Sequence, residues 1–144
     1  MEISEIYKNA YYDLIYEGLS ETPPNYEMII DILSEIKERL MKMLKVGSPL
    51  HCEIDEKIDL NFTRQMITND AFSQSDFLEL VCYILKKCKQ LGTPARDGFV
   101  DLKFQEICEL SENESFPTLV VFFIRNVNDI IDNIYFDMHE FLNS

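Results

Sequence analysis

Hydrophobic positions recur along this chain at intervals of three and four residues, the spacing that gathers apolar side chains on one face of an α-helix. The clearest stripe is Tyr26, Ile29, Ile30, Leu33, Ile36, Leu40, Met43 and Leu44, with Glu35, Lys37, Glu38 and Arg39 on the polar side. An earlier stripe, Ile3, Ile6, Tyr7, Ala10, Tyr11 and Leu14, predicts a first helix that stops near Gly18. Thr22-Pro23-Pro24-Asn25 breaks the chain between them, and Asn25 suits the cap of the second helix. Gly47 fits the left-handed position after that helix, and Pro49 prevents its continuation.

The middle of the chain is more interrupted. Leu50, Ile54 and Ile58 predict a short helix, and Asp59 suits the cap of another that carries Phe62, Met66 and Ile67. Asn69-Asp70 reads as a turn. Ser73, with Asp76 three residues on, has the form of a capping box. It opens a helix with Phe77, Leu80, Val81, Ile84, Leu85, Cys88 and Leu91 on one side, closed at Gly92. Thr93-Pro94 starts the next, with Val100, Phe104, Ile107 and Cys108 as its apolar positions. After a polar loop from Ser111 to Ser115, a last helix is predicted from about Pro117 to Leu142. Its first turns, Leu119 to Ile124, are apolar on every side, as in a helix surrounded by others. These β-branched residues also fit a strand, but Val127, Ile130, Ile131, Ile134, Met138 and Phe141 extend the helical period. With no internal repeat and no low-complexity tract, the expectation is one all-α domain over residues 1–144. It is a bundle of about six or seven helices around a long, central C-terminal helix.

Composition supports that reading and narrows the function. At 47% apolar, the 144 residues suffice for one core. Against 26 acidic side chains stand 13 basic ones, for a net charge of −13. Such a surface repels phosphate backbones and anionic membranes, so neither is expected as a partner. The basic cluster Lys86-Lys87-Cys88-Lys89 reads as a solvated helix face. Glu2 and Glu5 stand where a signal peptide carries basic residues. The longest apolar run, Leu119 to Ile124, is far short of a membrane span. Cys82, Cys88 and Cys108 fall in apolar helical stretches, as suits buried, reduced thiols in the cytoplasm. His51-Cys52 and His139 lack a matching ligand turn, so no metal is assigned. A Gly-rich phosphate loop, a nucleophile elbow and a metal-binding His/Glu helix are all missing from the sequence, so no cofactor and no catalytic residue are assigned.

The segment Pro94-Ala95-Arg96-Asp97 is the strongest candidate for a special role. Pro94 suits a first helical position, and Asp97 lies beside the positive end of the helix dipole. Arg96 has the rigid fork that clamps a carboxylate on a neighbouring helix, and is expected to be largely buried. Asp13 and Asp137 are its candidate partners, because each sits within an apolar stripe where an unpaired carboxylate is costly. A recognition or catalytic pair at a helix N-terminus, where anions are favoured, is the other reading of the same segment.

Several stretches, in order, also carry a family pattern. They are Tyr11-Tyr12-Asp13; Leu19-Ser20-Glu21-Thr22-Pro23-Pro24-Asn25-Tyr26; Leu33 to Leu40; Glu53-Ile54-Asp55-Glu56-Lys57-Ile58-Asp59; Tyr83-Ile84-Leu85 followed by Leu91 to Asp97; and Asp137-Met138. Together they resemble the core domain of the T-complex protein 11 family. Asn25 stands where that family has Asp, Gly92-Thr93 where it has Cys-Ala, and Gly98 where it has Glu. The resemblance and the Ile/Asn/Asp/Lys-rich composition suggest a minimal version, of the kind a large DNA virus would carry. The family resemblance implies a non-enzymatic helical protein tied to cyclic-AMP-dependent protein kinase signalling. Two binding readings follow: a cytoplasmic adaptor whose acidic surface docks a basic protein segment, or a viral apoptosis-inhibitor-like bundle that takes an amphipathic helix in an apolar groove.

Overall fold

The capping chemistry in the sequence sets where most helices begin. In the computed structural model, which describes residues 3–143 and the side chains from residue 5, Ser73 Oγ accepts from the Asp76 N–H at 3.3 Å while the Asp76 carboxylate accepts from the Ser73 N–H at 2.9 Å. This reciprocal pair satisfies two backbone donors at once. Asp59 accepts from the Phe62 N–H at 2.9 Å, Ser48 from the His51 N–H at 3.3 Å and Ser115 from the Thr118 N–H at 3.4 Å. The resulting elements are α1 (Ile3–Ser20), α2 (Glu27–Lys42), α3 (Pro49–Lys57), α4 (Leu60–Thr68), α5 (Gln74–Leu91), a 3-10 turn (Pro94–Arg96), α6 (Asp97–Asn113) and α7 (Phe116–Leu142). Among the described residues there is no strand, so the chain is all-α.

Some boundaries differ from the sequence reading. Asn25 does not cap α2 directly: Tyr26 is the boundary residue, although the Asn25 side chain accepts from the Glu27 N–H at 3.3 Å. The second helix ends at Lys42, so Met43 and Leu44 already lie beyond it. Gly47 does take a left-handed conformation, at φ +83°, but in the turn that leads into α3, which Pro49 opens. The polar loop after α6 shrinks to two residues because the helix runs on to Asn113.

The long helix α7 is the centre of the bundle. It packs against α1, α2, α5 and α6, while α2 also holds α3 and α4. Its buried residues are Leu119, Val120, Phe123, Ile124, Val127, Ile130, Ile131 and Ile134. They meet Ile29, Ile32, Leu33, Ile36 and Leu40 of α2 and Phe77, Val81, Ile84, Leu85 and Cys88 of α5 in one core. Edge-to-face aromatic pairs tie the helix ends together at one end of it: Phe72 to Tyr26 at 5.6 Å, Tyr26 to Phe116 at 6.2 Å, Phe116 to Phe77 at 5.4 Å and Phe77 to Phe123 at 5.7 Å. This is the preferred geometry for aromatic quadrupoles.

The first helix turns the other way from the sequence expectation. Its buried positions are Tyr12, Ile15 and Leu19, whereas Ile6, Tyr7, Tyr11 and Leu14 are exposed. The guanidinium of Arg125 on α7 lies 4.6 Å from the Tyr12 ring centroid on the inner face. At Gly18, one turn beyond Leu14 on the other stripe, α2 approaches so closely that a Cβ would stand 2.3 Å from Met28 Sδ. Gly18 is therefore a contact residue as well as a near-terminal one. Phe62, Phe104, Met138 and Phe141 are exposed too. Cys82 and Cys108 are exposed, contrary to expectation, and only Cys88 is buried, which pushes its thiol up to about 12.

Phe77→Ala should lower the unfolding free energy by about 3–5 kcal/mol, because it opens a cavity where two aromatic pairs meet. Phe62→Ala should stay within about 0.5 kcal/mol of the parent. Chemical denaturation of the two variants checks both.

Candidate functional site

Where α5 stops at Gly92, the backbone runs extended through Thr93 and then tightens into the turn Pro94–Arg96, closed by the Arg96 N–H to the Thr93 carbonyl at 3.0 Å. Proline pre-sets the first residue of that turn and needs no donor there. The turn aims Arg96 at α7. Its Nε donates to Asp137 Oδ2 at 2.6 Å and its Nη2 to Asp137 Oδ1 at 2.9 Å, a two-pronged clamp between the start of α6 and the far half of α7. Arg96 is half-buried, with 36% of its side chain exposed, rather than largely buried, and Asp137 is covered to 19% exposure. The hydrogen bonds from Arg96 hold the Asp137 carboxyl below its usual range, and the same bonds raise the guanidinium.

The other candidate residues are not drawn into this clamp. Asp13 is exposed on α1, on the helix that turned its expected stripe to solvent. Pro94 is exposed, and Asp97 begins α6 partly covered. Lys89 of α5 bonds Asp101 at 2.9 Å, and this pair, with a further contribution from Asp97, raises the lysine pKa. Beside the clamp lies a shallow cleft of ≈ 260 Å³ lined mainly by Leu91, Thr93, Ile134, Met138, Phe141 and Leu142.

Three further polar clusters escaped the sequence reading. Lys87, expected on a solvated helix face, is buried; its Nζ lies 2.6 Å from Glu53 Oε2 on α3 and donates to Gln90 at 3.1 Å. Tyr83 donates to the same Glu53 oxygen at 2.6 Å. The bonds from Lys87 and Tyr83 lower the Glu53 pKa, while burial first and Glu53 second raise the phenol. On α2, Arg39 donates to Asn128 at 3.0 Å and to Asp132 at 2.6 Å, and its own carbonyl accepts from the Tyr135 hydroxyl at 2.8 Å. Lys37 donates to the carbonyls of Asp55 and Ile58 at 3.0 and 2.8 Å, where α3 presents the negative end of its dipole. A signal existed for Lys87, which falls between Ile84 and Cys88 on the buried side of α5. The hydrophobic period pointed to neither Glu53 nor Asn128 as a partner.

Each cluster joins two helices, and no buried side-chain nitrogen or oxygen among the described residues lacks a partner. The same residues include no group of three or more His, Cys, Asp and Glu able to hold a metal ion, and no helix long and apolar enough to cross a membrane. What the geometry defines is a helical bundle fastened around a central helix by charged pairs. The T-complex protein 11 family model matches residues 2–142, and the chain belongs to that family. It is 29% identical over 138 residues to the human T-complex protein 11 homolog, covering 95% of this chain and 25% of that protein. The rat homolog is 30% identical over 135 residues, 93% of this chain and 21% of its own length. The chain thus spans about a quarter or less of the curated relatives it matches. No solved structure matches it.

Removing the clamp should show a pH signature. A carboxyl with a depressed folded pKa contributes stability above its unfolded value, near 3.9, and loses it as pH falls through the folded value. Asp137→Asn should therefore melt below the parent at pH 7, and the gap should close progressively below about pH 4. Thermal melts across that range provide the check.

Proposed function

We propose that this chain acts without catalysis, as a cytoplasmic signalling adaptor or regulator whose acidic helical surface docks a basic segment of a protein partner. The observation that carries the reading is the net charge of −13 together with how the cations are used. Lys37, Arg39, Lys87, Lys89 and Arg96 are held in ion pairs that fasten helices to one another. The excess acid is left outward, and exposed carboxylates include Glu17, Asp31, Glu35, Glu56 and Glu112. A field of that sign accelerates encounter with a positive partner and repels a negative one. Membership of the T-complex protein 11 family supports a non-enzymatic role, and the family resemblance extends the proposal to cyclic-AMP-dependent protein kinase signalling.

The competing reading, an apoptosis-inhibitor-like bundle that grips a partner helix in an apolar groove, rests on the cleft between the ends of α5 and α7. At ≈ 260 Å³ that cleft is smaller than the roughly 300–1,000 Å³ of ordinary small-molecule sites, and the larger open cleft of ≈ 640 Å³ beside α2 mixes Met41, Leu44 and Val46 with Lys37, Glu38 and Lys42 rather than forming an apolar groove. The charge reading is the stronger.

Calorimetry on a partner captured from the native host, at two salt concentrations and two temperatures, separates the two. Docking on the acidic surface should weaken as salt rises past about 0.15 M, where the screening length is near 8 Å. Salt-indifferent binding with a large negative heat-capacity change would favour the groove instead.

A further inference from the structure

The outward stripe of α1 is the largest mismatch between sequence pattern and burial in the molecule. Ile6, Tyr7, Tyr11 and Leu14 are 52%, 72%, 40% and 58% exposed, although they recur at helical spacing. Scattered exposed apolar residues need no explanation, but a stripe on one helix is the surface a partner covers. The inner face of α1 is already occupied: Tyr12, Ile15 and Leu19 are buried against the bundle. Packing within the domain therefore does not account for the second stripe.

Carboxylates border this stripe. Asp31 and Glu35 of α2 are both exposed and act on the Tyr11 phenol, whose pKa is raised, mainly by burial and further by these two charges. Glu17 continues the outward face of α1 one turn beyond Leu14. Two of the possible occupants are opposed by this chemistry. A second copy would bring another −13 against the same rim, and an anionic membrane would be repelled by it.

We infer that the outward face of α1 is the docking site for a basic amphipathic helix, which lays its apolar stripe on Ile6, Tyr7, Tyr11 and Leu14 and sets flanking Lys or Arg residues against Asp31, Glu35 and Glu17. This rests on the acidic-surface reading above and adds the place and the shape of the partner segment. Helix-on-helix docking of this kind uses anchors at i, i+3, i+4 and i+7; Tyr7, Ala10, Tyr11 and Leu14 stand at that spacing, all exposed, with Ile6 beside them.

The probe is a labelled synthetic helix-forming peptide with Leu at i, i+3, i+4 and i+7 and Lys on both flanks, followed by fluorescence anisotropy. A twin peptide with Glu in place of every Lys should not bind. The double variant Tyr7→Ser/Leu14→Ser should weaken binding of the Lys peptide by about tenfold or more, since truncating interface anchors has that scale of effect. Asp31→Asn/Glu35→Gln should weaken it by about three- to tenfold and flatten its salt dependence. Glu56→Gln/Glu112→Gln, on α3 and α6, removes the same charge elsewhere and should change it by less than about twofold. Amide-shift mapping on the unaltered protein gives a readout that no folding defect can imitate, and the shifts should cluster in residues 6–17 and 31–35. Lys-peptide binding that responds equally to the α3/α6 variant, or that maps elsewhere, overturns the α1 site and leaves the general acidic-surface reading standing. No binding of the Lys peptide at all overturns this inference too, while the calorimetry on a captured partner still decides the broader reading.

Discussion

The first turns of α7, Leu119 to Ile124, are apolar on every side, so the helix persists in water only where other helices cover it. That constraint organises the bundle. The buried stripes of α1, α2, α5 and α6 all point at it, and eight of its side chains are buried. Burying one Val, Leu, Ile or Phe side chain contributes about 1.5–3 kcal/mol, so α7 alone supplies much of the apolar driving force. Apolar burial has no direction, however. It does not say how far α7 is rotated or slid against its neighbours. The polar positions further along the helix supply that: Asn128, Asp132 and Tyr135 engage Arg39 of α2, and Asp137 engages Arg96 before α6. Short, directional bonds at these points select one register from those that the greasy seam alone would tolerate.

Much of this was legible because it is local. Caps at Asp59, Ser73 and Ser115 depend on residues three apart, and the long period of α7 outweighed the strand propensity of its β-branched turns. Arg96 and Asp137 were also legible, since a rigid guanidinium fork near a helix start and a carboxylate within an apolar stripe each call for a partner. The misreading of Asp13 has one cause, shared with α1 itself. Asp13 was a candidate partner only if the stripe of Ile6, Tyr7, Tyr11 and Leu14 faced inward. It faces out, so Asp13 is solvated and requires no clamp.

The remaining misses are tertiary in origin. Glu53 belongs to a short helix whose period gives no hint that Lys87 and Tyr83 converge on it from α5. Cys82, Phe104 and Cys108 sit in sound helical patterns but at positions that the packing of the helices leaves exposed. A hydrophobic period says that a helix has an apolar face; it does not say that the domain has enough helices to cover it.

That distinction carries most weight at α1. With Tyr12, Ile15 and Leu19 on one side and Ile6, Tyr7, Tyr11 and Leu14 on another, the helix has two apolar faces of similar quality, and the sequence cannot rank them. The fold ranks them through the packing of α1 on α7, with Arg125 over Tyr12. The other face remains apolar in spite of the solvation cost, on a chain whose surface is otherwise strongly charged. Bases spent on internal pairs and acids left beside that face make its surroundings unfavourable to a second copy and favourable to a cation-flanked helix. The ambiguity of α1 in the sequence is what a helix with one partner inside its own domain and one outside it would produce.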